Sequence, residues 1–228
     1  MKSVTALVPA FNEAARIAAT VDALGKARGI GEIIVIDDGS TDGTASAAAA
    51  AGAEVFRLGS NRGKGEAVWR GARFARYPLL ALVDADLGSS ALEIVRIMEP
   101  VMAGLVDMAI AVFPPRSGKG GFGIVKRFSR AGLYLLSRQK FVEPLSGQRV
   151  LPAQLLLDMK KPPRGFGLEV ALTLEALRRG YRVAEVPAPM SHRERGRDLL
   201  SFLHRGRQFM AVCRELWHGV RAGGVGEK

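Results

Sequence analysis

Residues 32–42 read Glu32-Ile33-Ile34-Val35-Ile36-Asp37-Asp38-Gly39-Ser40-Thr41-Asp42. The unbroken β-branched run suits a strand buried on both faces, as in a parallel sheet. Two carboxylates and a glycine then end it. A core strand gains no packing from finishing in two acids, so chemistry is expected at its carboxyl end. Outward from this stretch, residues 3–8 form a short apolar run stopped by Pro9, and Asn12-Glu13 are placed to cap a helix reaching about Arg28. Strands are predicted at 54–58, 79–83 and 107–113. Helices are predicted at 41–51, at 65–76 and from Ser89-Ser90 to about Met102. This alternation predicts an α/β fold with a mostly parallel central sheet flanked by helices.

The pattern loosens after Phe113. Residues 114–123 are rich in Pro, Gly and basic groups, and the part from 116 to 122 is expected to close as a lid over a bound ligand. Helices are predicted at 125–138 and 167–179, a Pro-bounded helix-like segment at 146–151, a strand at 182–186 and a long helix at 198–217. No repeat or linker marks a boundary. One domain is expected over 1–228, with a nucleotide-type half to about 115 and a divergent half from about 116.

Composition narrows the class. The 228 residues are 48% hydrophobic, enough for a full core, which excludes global disorder. The single cysteine, Cys213, excludes a disulfide framework and a Cys-based zinc site. Residues 101–113 are the longest weakly polar stretch, but Asp107 interrupts them and they are too short to span a bilayer. Met1-Lys2 lead straight into a strand, so no signal peptide is expected and the protein is placed in the cytoplasm. The formal charge is +11, and residues 193–221 hold seven arginines against three acids. Such a balance attracts polyanions, but aromatics do not interleave with the arginines and no nucleic-acid motif is present.

Three strands end in polar clusters: Pro9-Ala10-Phe11-Asn12-Glu13, Asp37-Asp38-Gly39-Ser40 and Asp84-Ala85-Asp86. In open parallel sheets ligands bind beyond those ends. The spacing of Asp84 and Asp86 lets one acid reach a ribose and the other a hard divalent cation. Asn61-Arg62-Gly63-Lys64-Gly65, ahead of a predicted helix, supplies backbone N–H groups and cations for an anion. It lacks the spacing of a Walker loop, and no GxGxxG follows the first strand, which weakens ATPase and dinucleotide readings.

Taken in order, residues 8–13, 37–42, 61–65 and 84–87 resemble the signature of family 2 glycosyltransferases with the GT-A fold, most of all the polyprenyl-phosphate sugar transferase branch. The resemblance covers about residues 3–115, and extends more loosely through 146–149, 165–169, 185–187 and 192–197. It implies a UDP- or GDP-linked sugar donor, Mg²⁺ or Mn²⁺, and inversion at the anomeric carbon by direct displacement. By the same resemblance Pro9, Ala10, Asn12 and Glu13 line the nucleoside pocket, and Asp38 bonds the base. Lys64 lies near base or phosphates, Asp84 contacts ribose or metal-bound water, and Ala85 lines the nucleotide-sugar site. Asp86 holds the metal, and His192 completes its shell. Gln148, Arg149 and Arg193 are expected on the diphosphate or an acceptor phosphate. Glu169 reads either as a general base or as an acid favoured by a helix N-terminus. Gly88 stands where the polyprenyl-phosphate branch usually carries Gln. A lipid-phosphate acceptor used in cell-envelope assembly is expected, with the basic terminal helix docking on anionic membrane or on a second copy of the chain. A nucleotidyltransferase and a non-catalytic sugar-nucleotide-binding module are the alternatives.

Overall fold

Seven apolar runs pair into one sheet in a computed structural model that describes residues 4–113, 123–159 and 167–191. In chain order the strands are β1 (Val4–Ala10), β2 (Ile30–Asp37), β3 (Glu54–Arg57), β4 (Leu79–Leu82), β5 (Met108–Val112), β6 (Arg149–Pro152) and β7 (Val183–Pro187). The helices are α1 (Ile17–Lys26), α2 (Thr44–Ala50), α3 (Lys64–Gly71), α4 (Ile94–Met102), α5 (Gly123–Ser137), α6 (Ala153–Leu157) and α7 (Gly167–Arg178). A 3₁₀ segment, Gly88–Glu93, leads into α4. The sheet order is β3-β2-β1-β4-β6-β5-β7. Only β6 runs against the others.

Both faces of the sheet are covered, which explains the unbroken apolar runs of β1 and β2. Ala6 and Val8 of β1 pack with Ile17, Val21 and Leu24 of α1 and with Ile94, Ile97 and Met98 of α4. Leu7 faces the other way, into a core with Val68 of α3, Leu155 and Leu156 of α6, and Leu168 and Leu172 of α7. Full burial of each such side chain contributes about 1.5–3 kcal/mol. The chain steps from β1 to β2 and β3 on one side, then sets β4 on the other side of β1. This reversal opens a crevice beyond the carboxyl ends of β1 and β4, where the polar clusters lie.

Two local expectations are corrected. Residues 146–151 are not helix-like: they lead into β6, whose Leu151 and Val150 pair with Leu80 and Ala81 of β4. A four-residue apolar run carries no period that separates strand from helix, and burial on both faces removes the alternation that would. Pro152 ends the strand and starts α6. Asn12-Glu13 also do not cap α1, which begins at Ile17 with Arg16 before it and no side-chain cap. The loop 116–122 and the helix expected at 198–217, with Cys213 and Trp217, lie outside the described residues. Among the described residues no helix is long and apolar enough to cross a membrane.

Helix α3 approaches the sheet through Gly71, where a Cβ would come within 2.5 Å of Leu7 Cδ1 and 2.7 Å of Ile36 Cγ1. Both neighbours are core branches with nowhere to retreat. Gly71→Ala is therefore expected to destabilise the fold by about 1–3 kcal/mol in urea titration, despite alanine's better helix propensity. An unchanged midpoint would contradict this close contact.

Candidate functional site

The loops after β1 and β2 are joined to each other. Asn12 takes a left-handed backbone (φ 54). Its N–H donates to Ser40 Oγ at 3.0 Å, and its Oδ1 accepts from Thr41 N at 2.9 Å. Glu13 N donates to Thr44 Oγ1 at 2.9 Å. Asn12 was expected to cap a helix; it cross-links two strand ends instead. Pro9 does not stop the strand as expected: Pro9 and Ala10 are the last residues of β1, paired with Ile36 and Asp37 beside this junction.

The two acids that end β2 have separate partners. Asp37 is fully buried, accepting Ser40 N at 2.9 Å and Arg57 Nε at 3.0 Å. Asp38 accepts the backbone N–H groups of Arg62 and Gly63 at 2.8 and 2.7 Å. Burial pushes its carboxyl above the ordinary aspartate range, and the two N–H groups pull it part of the way back. Asp38 thus anchors the loop 61–65, while each oxygen keeps a second lone pair for a ligand. Gly39 (φ 78) makes this possible, because a Cβ there would meet Ser60 C at 2.7 Å and Asn61 N at 2.8 Å. Only glycine lets that loop lie against the end of β2.

The turn Asp84-Ala85-Asp86 follows β4 directly. Thr20, fully buried on α1, donates to Ala85 O at 2.8 Å and accepts from Gly88 N at 2.9 Å. It pins the turn from below while Asp84 and Asp86 stay partly exposed. Arg16 Nη1 reaches Asp86 O at 3.3 Å, tying the β1 loop to the same turn. Sequence reasoning gave Thr20 and Arg57 no role. A buried hydroxyl on an otherwise apolar helix face was the signal for the first.

The reversed direction of β6 completes the edge. Arg149 pairs with Leu82 of β4, so residues 146–148 lie beside Asp84. A Cβ on Gly147 would collide with Lys64 Nζ and stand 2.9 Å from Asp84 Oδ2. Lys64, first residue of α3, bridges Asp84 Oδ1 at 2.7 Å and Glu169 Oε1 at 3.1 Å. Burial opposes its charge, but the two carboxylates outweigh that and hold the ammonium above the ordinary lysine value. Glu169 sits in the first turn of α7, only 2% exposed, and its Oε2 has no hydrogen-bond partner among the described residues.

Gln148 and Arg149 part company. Both Gln148 amide atoms are buried without a partner. Arg149 corrects the expectation of a phosphate contact. It is fully buried, donating to Ser146 O at 2.8 Å, Pro144 O at 2.7 Å and Thr173 Oγ1 at 2.8 Å. All three nitrogens are committed, and burial pushes its pKa down to about 10. Arg149 holds the 144–146 loop to α7. His192 and Arg193 lie outside the described residues. Ser191, just before them, donates to Ser90 Oγ at 3.1 Å, close behind the Asp86 turn.

The family model for glycosyl transferase family 2 matches residues 5–151, which include every one of these strand-end clusters. The chain belongs to glycosyltransferase family 2. It is 31% identical over 204 residues to glycosyltransferase AglJ of Haloferax volcanii, covering 86% of this chain and 65% of that protein. To glucosyl-3-phosphoglycerate synthase of Mycolicibacterium smegmatis it is 26% identical, covering 76% and 64%. The chain thus spans under two thirds of the length of either relative. The Mycobacterium tuberculosis synthase in complex with Mg²⁺ and uridine diphosphate superimposes with a TM-score of 0.80 at 25% identity, covering 96% of this chain and 79% of that one. Its complex with Mn²⁺, UDP-glucose and phosphoglyceric acid gives 0.78 at 26% identity, covering 94% and 80%. The sheet described above is therefore a GT-A sheet, as the sequence predicts.

The Lys64 bridge is expected to be energetically coupled. Lys64→Met leaves Glu169 buried beside Asp84 without its cation, and should cost more stability than Glu169→Gln. The double variant should recover about 1–3 kcal/mol of the summed losses in urea titrations at pH 7. Because the folded-state pKa of Lys64 is raised, its contribution is fully present below the unfolded value near 10.5 and is lost only as pH climbs through the folded value. Additive single and double variants at pH 7 would contradict the bridge.

Proposed function

We propose that the protein transfers a sugar from a UDP-linked donor to an acceptor, with a divalent cation bound at the Asp84-Ala85-Asp86 turn. The observation that carries this reading is the convergence of that turn, the Asp38-anchored loop 61–65 and the Asn12 junction on the crevice between β1 and β4. The donor set fits Mg²⁺ or Mn²⁺. Both take hard oxygen ligands, and Mg²⁺ typically uses one or two carboxylates completed by phosphate oxygens and water. Asp86, with Asp84 beside it, would hold the cation. Bound there, it offsets the charge that grows on the departing diphosphate.

The chain's own residues divide the remaining work. The exposed Arg62 of loop 61–65 binds the phosphates, Asp38 and the β1 loop hold the nucleoside, and Gln148 serves the acceptor side. In the displacement, an acceptor oxygen bonds to the anomeric carbon as the bond to the diphosphate breaks. A phosphate acceptor, already anionic, needs no base, so Glu169 stays a partner of Lys64. By the family resemblance, His192 would join the metal shell. Thermal-shift titration should show stabilisation by UDP-sugars that grows on adding Mn²⁺. Asp86→Ala should abolish transfer with an unchanged melting temperature. Wild-type turnover in that variant would sink the reading, and release of pyrophosphate in place of UDP would turn it to a nucleotidyltransferase.

For the acceptor, we infer a lipid phosphate met at an anionic membrane. Besides the basic stretch 193–221, α5 and the loop after it expose Leu135 (68%) and Val142 (52%) among the exposed cations Arg127, Arg138 and Lys140. Such a mixed face complements an anionic surface, each cation adding about 1 kcal/mol. Vesicle flotation at low salt should recover more protein with anionic than with neutral lipid, and high salt should abolish the difference. Equal recovery on both would point to a soluble acceptor.

A further inference from the structure

The bridge made by Lys64 has a second resting place. The ammonium lies 2.7 Å from Asp84 Oδ1 and 3.1 Å from Glu169 Oε1, while Glu169 Oε2 is buried with no hydrogen-bond partner among the described residues. A buried carboxylate oxygen without a donor is costly, and native folds rarely keep one without a use. Gly147 closes the other side: its backbone lies against both Lys64 Nζ and the Asp84 carboxylate, leaving no room for the ammonium to move toward β6. From Asp84, its retreat is along Glu169.

We propose that Lys64 is a resident counter-cation of the donor site, occupying Asp84 until a divalent cation arrives with the nucleoside diphosphate, and then shifting wholly onto Glu169. The inference rests on the reading that Asp84 and Asp86 serve that cation. Two cations cannot share one carboxylate at these distances without strong mutual repulsion, so the ammonium competes with a divalent ion that comes alone. The diphosphate alters the balance by adding negative charge and oxygen ligands, which bring in the metal and release Lys64. Glu169 Oε2 then receives the N–H that Asp84 gives up, so the ammonium exchanges partners without losing a hydrogen bond. Metal binding thereby depends on the nucleotide, and the empty site keeps its carboxylates neutralised.

The test is a Mn²⁺ titration of the full chain, followed by the electron paramagnetic resonance signal of free Mn²⁺, with and without UDP. In the wild type Mn²⁺ alone should bind weakly, and UDP should tighten it. Lys64→Met should bind Mn²⁺ alone about tenfold more tightly, with a smaller UDP enhancement. Glu169→Gln removes the charge that shares the ammonium, so Lys64 holds Asp84 harder and Mn²⁺ alone should bind several-fold more weakly. Circular dichroism checks that each variant folds; if Lys64→Met does not, Glu169→Gln decides by itself. Unchanged Mn²⁺ affinity in a folded Lys64→Met, or in Glu169→Gln, overturns the counter-cation role while leaving the metal site intact. Equal Mn²⁺ affinity of wild type and Asp86→Ala in the presence of UDP overturns the metal site and this role together.

Discussion

Carboxylates gathered at one edge of a sheet repel one another, and the whole donor edge is arranged around neutralising them. Two like charges about 4 Å apart near a protein surface repel by about 4 kcal/mol, a large share of a domain's net stability. Most acids at this edge meet a positive or donor partner, and two of them share one. Asp37 meets the guanidinium of Arg57, Asp38 the two N–H groups of Arg62 and Gly63, and Asp84 and Glu169 the single ammonium of Lys64. Because these partners come from β3, from the loop before α3 and from α3 itself, balancing the charge also fixes the loops. The electrostatics and the shape of the crevice are one constraint.

The lone antiparallel strand follows from the same need. A parallel β6 would deliver its carboxyl end to this edge and send the chain away. Running backwards, β6 presents its start, Ser146 to Gln148, against Asp84, and lets Arg149 hold the preceding loop to Thr173 of α7. Glu169, one turn earlier on that helix, is carried to Lys64. Among the described residues of the second half, β6 and α7 supply one wall of the site whose floor belongs to the first half.

Much of this was legible in residues whose local chemistry leaves little choice. The β-branched run 33–36, the acids after it and the glycine-rich 61–65 stretch mark a strand, its turn and a loop without help from distant contacts. The Asp84-Ala85-Asp86 turn was equally plain. What escaped was set by partners far along the chain. Asn12 reads as a helix cap because nothing local reveals that Ser40 and Thr41 wait across the crevice. Arg149 reads as a phosphate ligand because a guanidinium suits bidentate phosphate contacts. Only the fold buries it among the carbonyls of Ser146 and Pro144. Residues 149–152 are too short for periodicity to separate strand from helix, and their burial comes from strands on either side. The roles of Thr20 and Gly147 depend on close approach, which sequence does not record.

The central claim is that the turn after β4 holds a divalent cation against the phosphates of a nucleoside diphosphate. Anomalous diffraction from crystals grown with Mn²⁺ and UDP tests it most directly. The account requires a single strong manganese peak within bonding distance of the Asp86 carboxylate and of a UDP phosphate oxygen. A bound UDP with no manganese at Asp86, or with manganese held elsewhere in the chain, would contradict it.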